Sequence, residues 1–399
     1  MVERQPSQRG RSLPASPIRR LAPLAAAAEA RGLKVHYLNI GQPDLAPPPG
    51  VLAVLEQASN IRLAYAPSRG LPDTVNSWVT YYRNAGIEVE PSDILVTAGA
   101  SEALSLAFLL SCDPGDDVLV PEPFYAPYRG VAAIYGVRIV PVPLGPDFSP
   151  PSIDAFQRSL TPKTRAILIC SPNNPTGTVF TRDDLTALGA FAREHGLFLL
   201  SDETYREIVF NGPAAPSALS IPGLEETAIV IDSLSKRFNV CGVRIGSLVS
   251  RNPAIMSAAL ELAELRLAVP AVEQHAAAAA LNSPAAYLRE LVDTYDRRVS
   301  TVVDGLAQAP GVETRKPDGA FYVAARLPIE SAEQFAAWLL ADFSVDGETV
   351  MVTPMSDFYA TPGMGLNEIR IACIVEEREL ARATNILRLG LNDYPRRQR

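Results

Sequence analysis

The sequence predicts an α/β protein: a large domain built on a mostly parallel sheet of seven strands, joined to a smaller α+β domain. Three observations point there. From about residue 46, short and continuously apolar stretches alternate with helical ones, the pattern of a parallel sheet covered by helices on both faces. The 399 residues are too many for one small domain and suit two, at about 150 residues each. Beyond residue 284 the alternation gives way to a long helical segment and then to mixed strands and helices.

Taken in order, residues 1–16 are rich in Arg, Ser, Gln and Pro and are expected to form a mobile tail. Ile18–Ala30 has helical spacing, and Val35–Ile40 reads as a strand running into the turn Gly41-Gln42-Pro43-Asp44. The large sheet takes its strands from Ile94–Thr97, Val118–Val120, Arg138–Val142, Ala166–Cys170, Leu197–Ser201, Ala228–Ile231 and Ile245–Val249. Helices such as Ser101–Leu110, Arg182–His195 and Pro253–Arg266 separate them. The long helix Pro284–Leu306 leads into Gly319–Ala325, Phe335–Leu340, Thr349–Val352 and Ile369–Ile374, and a last helix covers Glu376–Leu391. Ligands of open parallel sheets bind beyond the carboxyl ends of the strands, and the polar motifs of this chain cluster just after the predicted strands.

Composition narrows the function. A net charge of -8 leaves no basic footprint for nucleic acid. No apolar run reaches the roughly 20 residues that span a bilayer. The alanine-rich stretch Leu21–Ala30 is broken by Pro23 and Glu29, so a cytoplasmic location is expected. Cys112, Cys170, Cys241 and Cys373 lie scattered in or beside apolar runs and read as core thiols. His36, His195 and His275 are isolated from one another, without metal-ligand grouping.

The densest polar chemistry lies between Asp232 and Gly246. Ser235 and Ser233 stand one and three residues before Lys236, and Arg244 follows eight residues after it between glycines 242 and 246. Hydroxyls and a planar guanidinium converge well on a phosphate, and a lysine beside them can form a Schiff base with an aldehyde. The plain alternative is a solvated lysine, but the apolar flanks Ala228–Ile231 and Ile245–Val249 place the segment in an interior, where a lysine needs a chemical reason.

Other strand ends are similarly loaded. Ala98-Gly99-Ala100-Ser101 turns a strand into a helix, and reads either as a helix start with Ser101 as cap or as an anion site. Tyr125, in Phe124-Tyr125-Ala126-Pro127-Tyr128, reads as core packing or as an aromatic that stacks on a planar ring, with Phe124 second to it. Asn174 lies in Ser171-Pro172-Asn173-Asn174-Pro175-Thr176-Gly177, a turn sequence in its own right. Asp202 ends a strand, as a cap or as the partner of a ring nitrogen. Arg370 falls inside a strand pattern, where a charge means an edge ion pair or a ligand contact.

From Ser233 to Gly246 the chain resembles the pyridoxal-phosphate attachment motif of the class I and II aminotransferases, the fold type I group of pyridoxal-phosphate transferases. The resemblance extends over residues 17–391, with the motifs in family order. It implies that Lys236 carries the cofactor and acts as general base, and that Ala100, Ser101, Ser233, Ser235 and Arg244 hold its phosphate. Tyr125 stacks on the ring, Asp202 pairs with its nitrogen, and Asn174 and Tyr205 reach the 3′-oxygen. Gly41, Asn174 and Arg370 bind the substrate carboxylate. Tyr65 reaches the phosphate of a neighbouring subunit, so the resemblance implies a homodimer with shared sites. It also implies a large domain over 46–275 and a discontinuous small domain over 17–45 and 276–399. The reaction expected is ping-pong transamination between an L-amino acid and a 2-oxo acid; the same scaffold also hosts lyases, decarboxylases and cyclising synthases. Relatives specific for aspartate place a lysine for the distal carboxylate where this chain has Ser101, which weakens an aspartate reading. Arg266 reads as a distal-carboxylate ligand across a dimer or as a surface ion pair.

Overall fold

A computed structural model describes residues 4–11, 13, 18–61 and 64–394. Residues 1–3, 12 and 14–16 of the expected mobile tail, and residue 17 after it, lie outside the described residues; within the tail, Gln8–Arg11 forms one helical turn.

The large sheet has seven strands in the order Ile94–Thr97, Gly246–Val249, Ala228–Ser233, Phe198–Asp202, Thr164–Cys170, Asp117–Glu122 and Arg138–Pro143. All neighbours run parallel except Gly246–Val249, which is antiparallel to both strands beside it. Each expected strand is present to within a few residues. Alternate side chains feed opposite faces, as the two-residue period of a strand requires. Ile94, Val96, Ile167, Ile169 and Leu199 join a cluster with Trp78, Tyr82 and Phe191. Leu95, Ala166, Leu168 and Leu200 join one with Phe108, Phe124 and Met256. Burial on both sides explains why the strands read as continuous apolar runs.

Register sets the site. Cys170 stands opposite Asp202, and Gly246 stands opposite both Ser233 and Thr97. The carboxyl ends of four parallel strands and the start of the antiparallel one therefore lie along one edge, where the motif residues collect.

A second assembly surrounds an antiparallel sheet in the order Thr353–Pro354, Glu368–Ala372, Tyr322–Arg326, Glu313–Thr314. The strand Lys34–Tyr37 pairs in parallel with Glu348–Met351, and Leu21, Ala25, Ala28 and Val35 share a buried cluster with Val302, Phe335, Leu339 and Leu387. The N-terminal segment thus packs with the C-terminal part of the chain. The expected segment Phe335–Leu340 belongs to the helix Ala332–Asp342, capped by Ser331 through the amide of Gln334. Among the described residues no helix is long and apolar enough to cross a membrane.

Phe335 is fully buried, stacked on Trp338 and edge-on to Tyr394. Phe335→Ala leaves a cavity there and is expected to lower the unfolding free energy by about 3–5 kcal/mol in urea titrations; Phe335→Leu, which keeps most of the volume, costs well under half of that.

Candidate active site

A cavity of about 470 Å³ opens at the carboxyl edge of the large sheet. Eleven of the thirteen residues proposed from the sequence line it, the exceptions being Arg370 and Tyr65. Cys170, Gln42, Thr204, Cys241 and Arg19 line it as well.

Lys236 is half-buried just beyond the strand Ala228–Ser233, and its Nζ donates to the carbonyl of Gly41 at 2.6 Å. Burial, with Arg370 and Arg244 adding repulsion, pushes its pKa down to about 8, although Cys241 opposes the shift. The nitrogen is therefore close to equal populations of amine and ammonium near pH 8. Gly41 permits the close approach of this backbone: a Cβ there would lie 1.9 Å from the Tyr322 hydroxyl.

One end of the cavity is built from donors. The helix Ala100–Ser111 starts at Gly99, which has φ 76° and supplies no side-chain cap, so Ser101 is not the cap that the local sequence allowed. The first-turn amides and the helix dipole point at the cavity. A Cβ at Gly99 would lie 2.6 Å from Nη2 of Arg244, and one at Gly246 would meet the Asp232 carbonyl at 2.5 Å and the Ala100 nitrogen at 2.9 Å. The two glycines thus let the helix start, the strand end and the Arg244 guanidinium share one corner. The Ser233 hydroxyl donates to that of Ser235 at 3.0 Å.

Asp202 is buried at the next strand end. Its Oδ2 accepts from the Tyr128 hydroxyl at 2.6 Å, and its Oδ1 accepts from the Thr204 hydroxyl at 2.6 Å and the Thr204 amide at 3.1 Å. Burial raises its pKa while these donors pull it back. Tyr125 lines the cavity, whereas Phe124 is 1% exposed inside an apolar cluster, so Tyr125 is the aromatic available to a planar ligand.

Arg370 lies on the interior strand Glu368–Ala372, which removes the edge ion pair as an explanation. Its Nη1 donates to Oδ1 of Asn174 at 2.9 Å and its Nη2 to the Asn39 carbonyl. Its Nε is buried without a hydrogen-bond partner among the described residues, a costly state for a guanidinium. The Arg370 guanidinium also lies 4.5 Å above the Tyr322 ring. Tyr322 in turn shares a hydroxyl contact of 2.9 Å with Tyr205. Tyr65, at 83% exposed, does not line this cavity. Arg266 is committed to Glu102 at 2.5 Å and to the Val96 carbonyl at 2.7 Å, so the ion-pair reading describes it.

Sequence reasoning passed over Tyr128, Tyr322 and a buried network around Arg237. Arg237 is fully buried; it donates to Asp232, to Glu207 at 2.6 Å and to the Tyr81 hydroxyl at 2.7 Å. Tyr82 donates to the other oxygen of Asp232 at 2.8 Å, while Asp232 accepts the Ser233 amide at 2.7 Å. Two clues were readable: Tyr128 follows Tyr125 by one helical turn, and Arg237 and Asp232 are charges set inside apolar flanks. Their partners were not readable, because Tyr81 and Glu207 lie 156 and 30 residues away from Arg237. Among the described residues no group of His, Cys, Asp and Glu is arranged to hold a metal, and the four cysteines are free.

The arrangement fits pyridoxal phosphate. Hydroxyls, a guanidinium and free helix amides suit its phosphate, a buried carboxylate suits its ring nitrogen, an amine suits its aldehyde, and the glycine-lined corner supplies the room.

Comparison with known proteins agrees. Residues 34–387 match the family described as aminotransferase class I and II. Aspartate aminotransferase of Bacillus subtilis strain 168 is 31% identical over 371 residues, 89% of this chain and 93% of that protein. LL-diaminopimelate aminotransferase of Desulforudis audaxviator is 32% identical over 391 residues, 96% of this chain and 97% of that protein. The solved structure of alanine aminotransferase from Pyrococcus furiosus has a TM-score of 0.88 at 29% identity, covering 98% of this chain and all of that one. These relatives favour transamination over the lyase, decarboxylase and synthase alternatives. The chain belongs to the class I and II aminotransferases of fold type I, and it is a pyridoxal-phosphate-dependent enzyme that passes an amino group between an amino acid and a 2-oxo acid.

Proposed function

We propose that Lys236 is the residue that carries the cofactor as a Schiff base and moves the substrate proton, within a cytoplasmic homodimer whose subunits share their sites. The observation that carries this reading is the setting of Lys236: a lysine with a depressed pKa that lines one cavity together with Ser233, Ser235, Arg244 and Asp202. Pyridoxal phosphate, when bound, supplies an aldehyde to accept the amino group and a protonated ring to take up the electrons of the Cα–H bond.

The chain's residues divide the remaining work. Ser233, Ser235, Arg244 and the amides of Ala100 and Ser101 bind the phosphate. Asp202, fixed by Tyr128 and Thr204, holds the proton on the ring nitrogen. Tyr125 packs on the ring, and Asn174 and Tyr205 donate to its 3′-oxygen. Arg370 binds the substrate α-carboxylate with Gly41 and Asn174 beside it, which orients the Cα–H bond toward Nζ of Lys236. The buried, unpartnered Nε of Arg370 and its contact with Asn174 support this clamp. Tyr65 is offered to the phosphate of a second copy, and its 83% exposure in one chain supports that role. The large domain comprises 46–275 and the small one 17–45 with 276–399, a division supported by the pairing of Lys34–Tyr37 with Glu348–Met351.

Lys236→Ala is expected to abolish turnover, with no stoichiometric 2-oxo acid released from any amino donor; wild-type rates in this variant would overturn the assignment. Arg370→Ala removes a charged hydrogen-bonding partner worth about 1.5–3 kcal/mol, so kcat/KM should fall at least tenfold for every donor in steady-state assays. In the cofactor-free protein, acylation of Lys236 by an amine-selective reagent, followed by peptide mass spectrometry, should speed up through a midpoint near pH 8. The neutral amine grows in above the depressed pKa, whereas an ordinary lysine with a pKa of 10.5 stays protonated there.

A further inference from the structure

The cavity contains a cation that the chemistry above leaves unused. Arg19 lines it beside Ile40, Gly41 and Gln42. It is exposed, and among the described residues its guanidinium has no carboxylate partner. The residues on either side are tied down: the Ile18 carbonyl accepts from Nδ2 of Asn39 at 2.7 Å, and Arg20 pairs with Glu333 at 2.5 Å and Asp357 at 3.1 Å. Asn39 also receives Nη2 of Arg370 on its own carbonyl. One residue therefore joins the segment that bears Arg19 to the arginine assigned to the α-carboxylate.

Charge matching narrows what Arg19 can serve. Among the described residues Asp202 is the only carboxylate lining the cavity, and Tyr128 and Thr204 already hold it. Of the other cations lining it, Lys236 is the reacting amine and Arg244 belongs to the phosphate corner, while Arg370, outside the lining, is assigned to the α-carboxylate. A basic substrate side chain would meet Arg19 with no acidic group to neutralise it. A distal carboxylate would meet a planar guanidinium able to donate two parallel hydrogen bonds. Gln42 and Ser101 offer neutral polar atoms in the same cavity, and Leu104, Pro127 and Val131 offer apolar surface for methylene groups.

We propose that Arg19 binds the distal carboxylate of a dicarboxylic amino acid and of its 2-oxo acid, and so sets the acidic side-chain specificity of the site. This rests on the assignment of Arg370 to the α-carboxylate and of Lys236 to the reaction. It also supplies from the N-terminal segment the charge that Ser101 does not provide.

The test uses the holoenzyme, wild type against Arg19→Gln and Arg19→Lys. Two quantities are read: kcat/KM for L-glutamate and L-aspartate relative to L-alanine, and the calorimetric affinity for succinate relative to butyrate, neither of which can react. In Arg19→Gln both ratios should fall, roughly tenfold to hundredfold for loss of one charged contact, and Arg19→Lys should recover part of each. Ratios unchanged in Arg19→Gln would overturn the proposal, as would a wild type that prefers alanine and butyrate. If no donor is turned over at all, the assignment of the reaction fails, yet the succinate preference still decides Arg19. Its loss in Arg19→Gln supports the proposal and its persistence overturns it.

Discussion

The site depends on one buried ion pair. Asp232 and Arg237 are both fully buried, on either side of Ser233, Ser235 and Lys236. Taking two such charges out of water costs several kcal/mol each, and good geometry with further hydrogen bonds is what offsets it. Here Glu207, Tyr81 and Tyr82 provide those bonds. Burial alone would pull the Arg237 pKa down, but Asp232 and Glu207 hold it above the ordinary arginine value. The same Asp232 oxygen that meets Arg237 accepts the Ser233 amide. The end of the strand, the Ser233 and Ser235 hydroxyls and the lysine are thus braced from underneath by a charge that does not line the cavity.

Above that brace, neighbouring groups are set against one another. Lys236 is deprived of water and repelled by Arg370 and Arg244, so its proton is loosely held. Asp202 is also deprived of water, yet receives three donors that favour its anion. Arg370 faces Tyr322 and Asn174, and among the described residues its Nε has no partner. A site prepared in this way has already met much of the desolvation cost before a substrate arrives, which is the advantage of preorganised electrostatics. Tyr322 connects the two halves of the arrangement, with its ring under Arg370 and its hydroxyl on Tyr205.

Much of this was legible in the chain. Burial on both faces makes the strands of a parallel sheet continuous apolar runs, and such runs located each strand of the large sheet to within a few residues. The polar residues at or just after those strands are brought together by the same sheet: Asp202, Asn174, Ser233, Ser235, Lys236, Ala100 and Ser101 all line the cavity. The boundaries and caps were less legible. Ser101 had the composition of a helix cap, but Gly99 takes that place because the backbone needs a positive φ and Arg244 needs the space.

What the sequence determined by itself was the α/β class, the order of the strands along the chain and the set of polar groups at their ends, since these follow from local patterns of two or a few residues. Tertiary structure alone decided the partners. The pairing of Lys34–Tyr37 with Glu348–Met351, the Tyr128 contact on Asp202, the Arg237 network and the commitment of Arg266 to Glu102 all join residues far apart in the chain. So does the arrival of Arg19 in the same cavity as Lys236. Contacts of that kind are settled by how the elements pack, and packing leaves no period in the sequence from which it can be read.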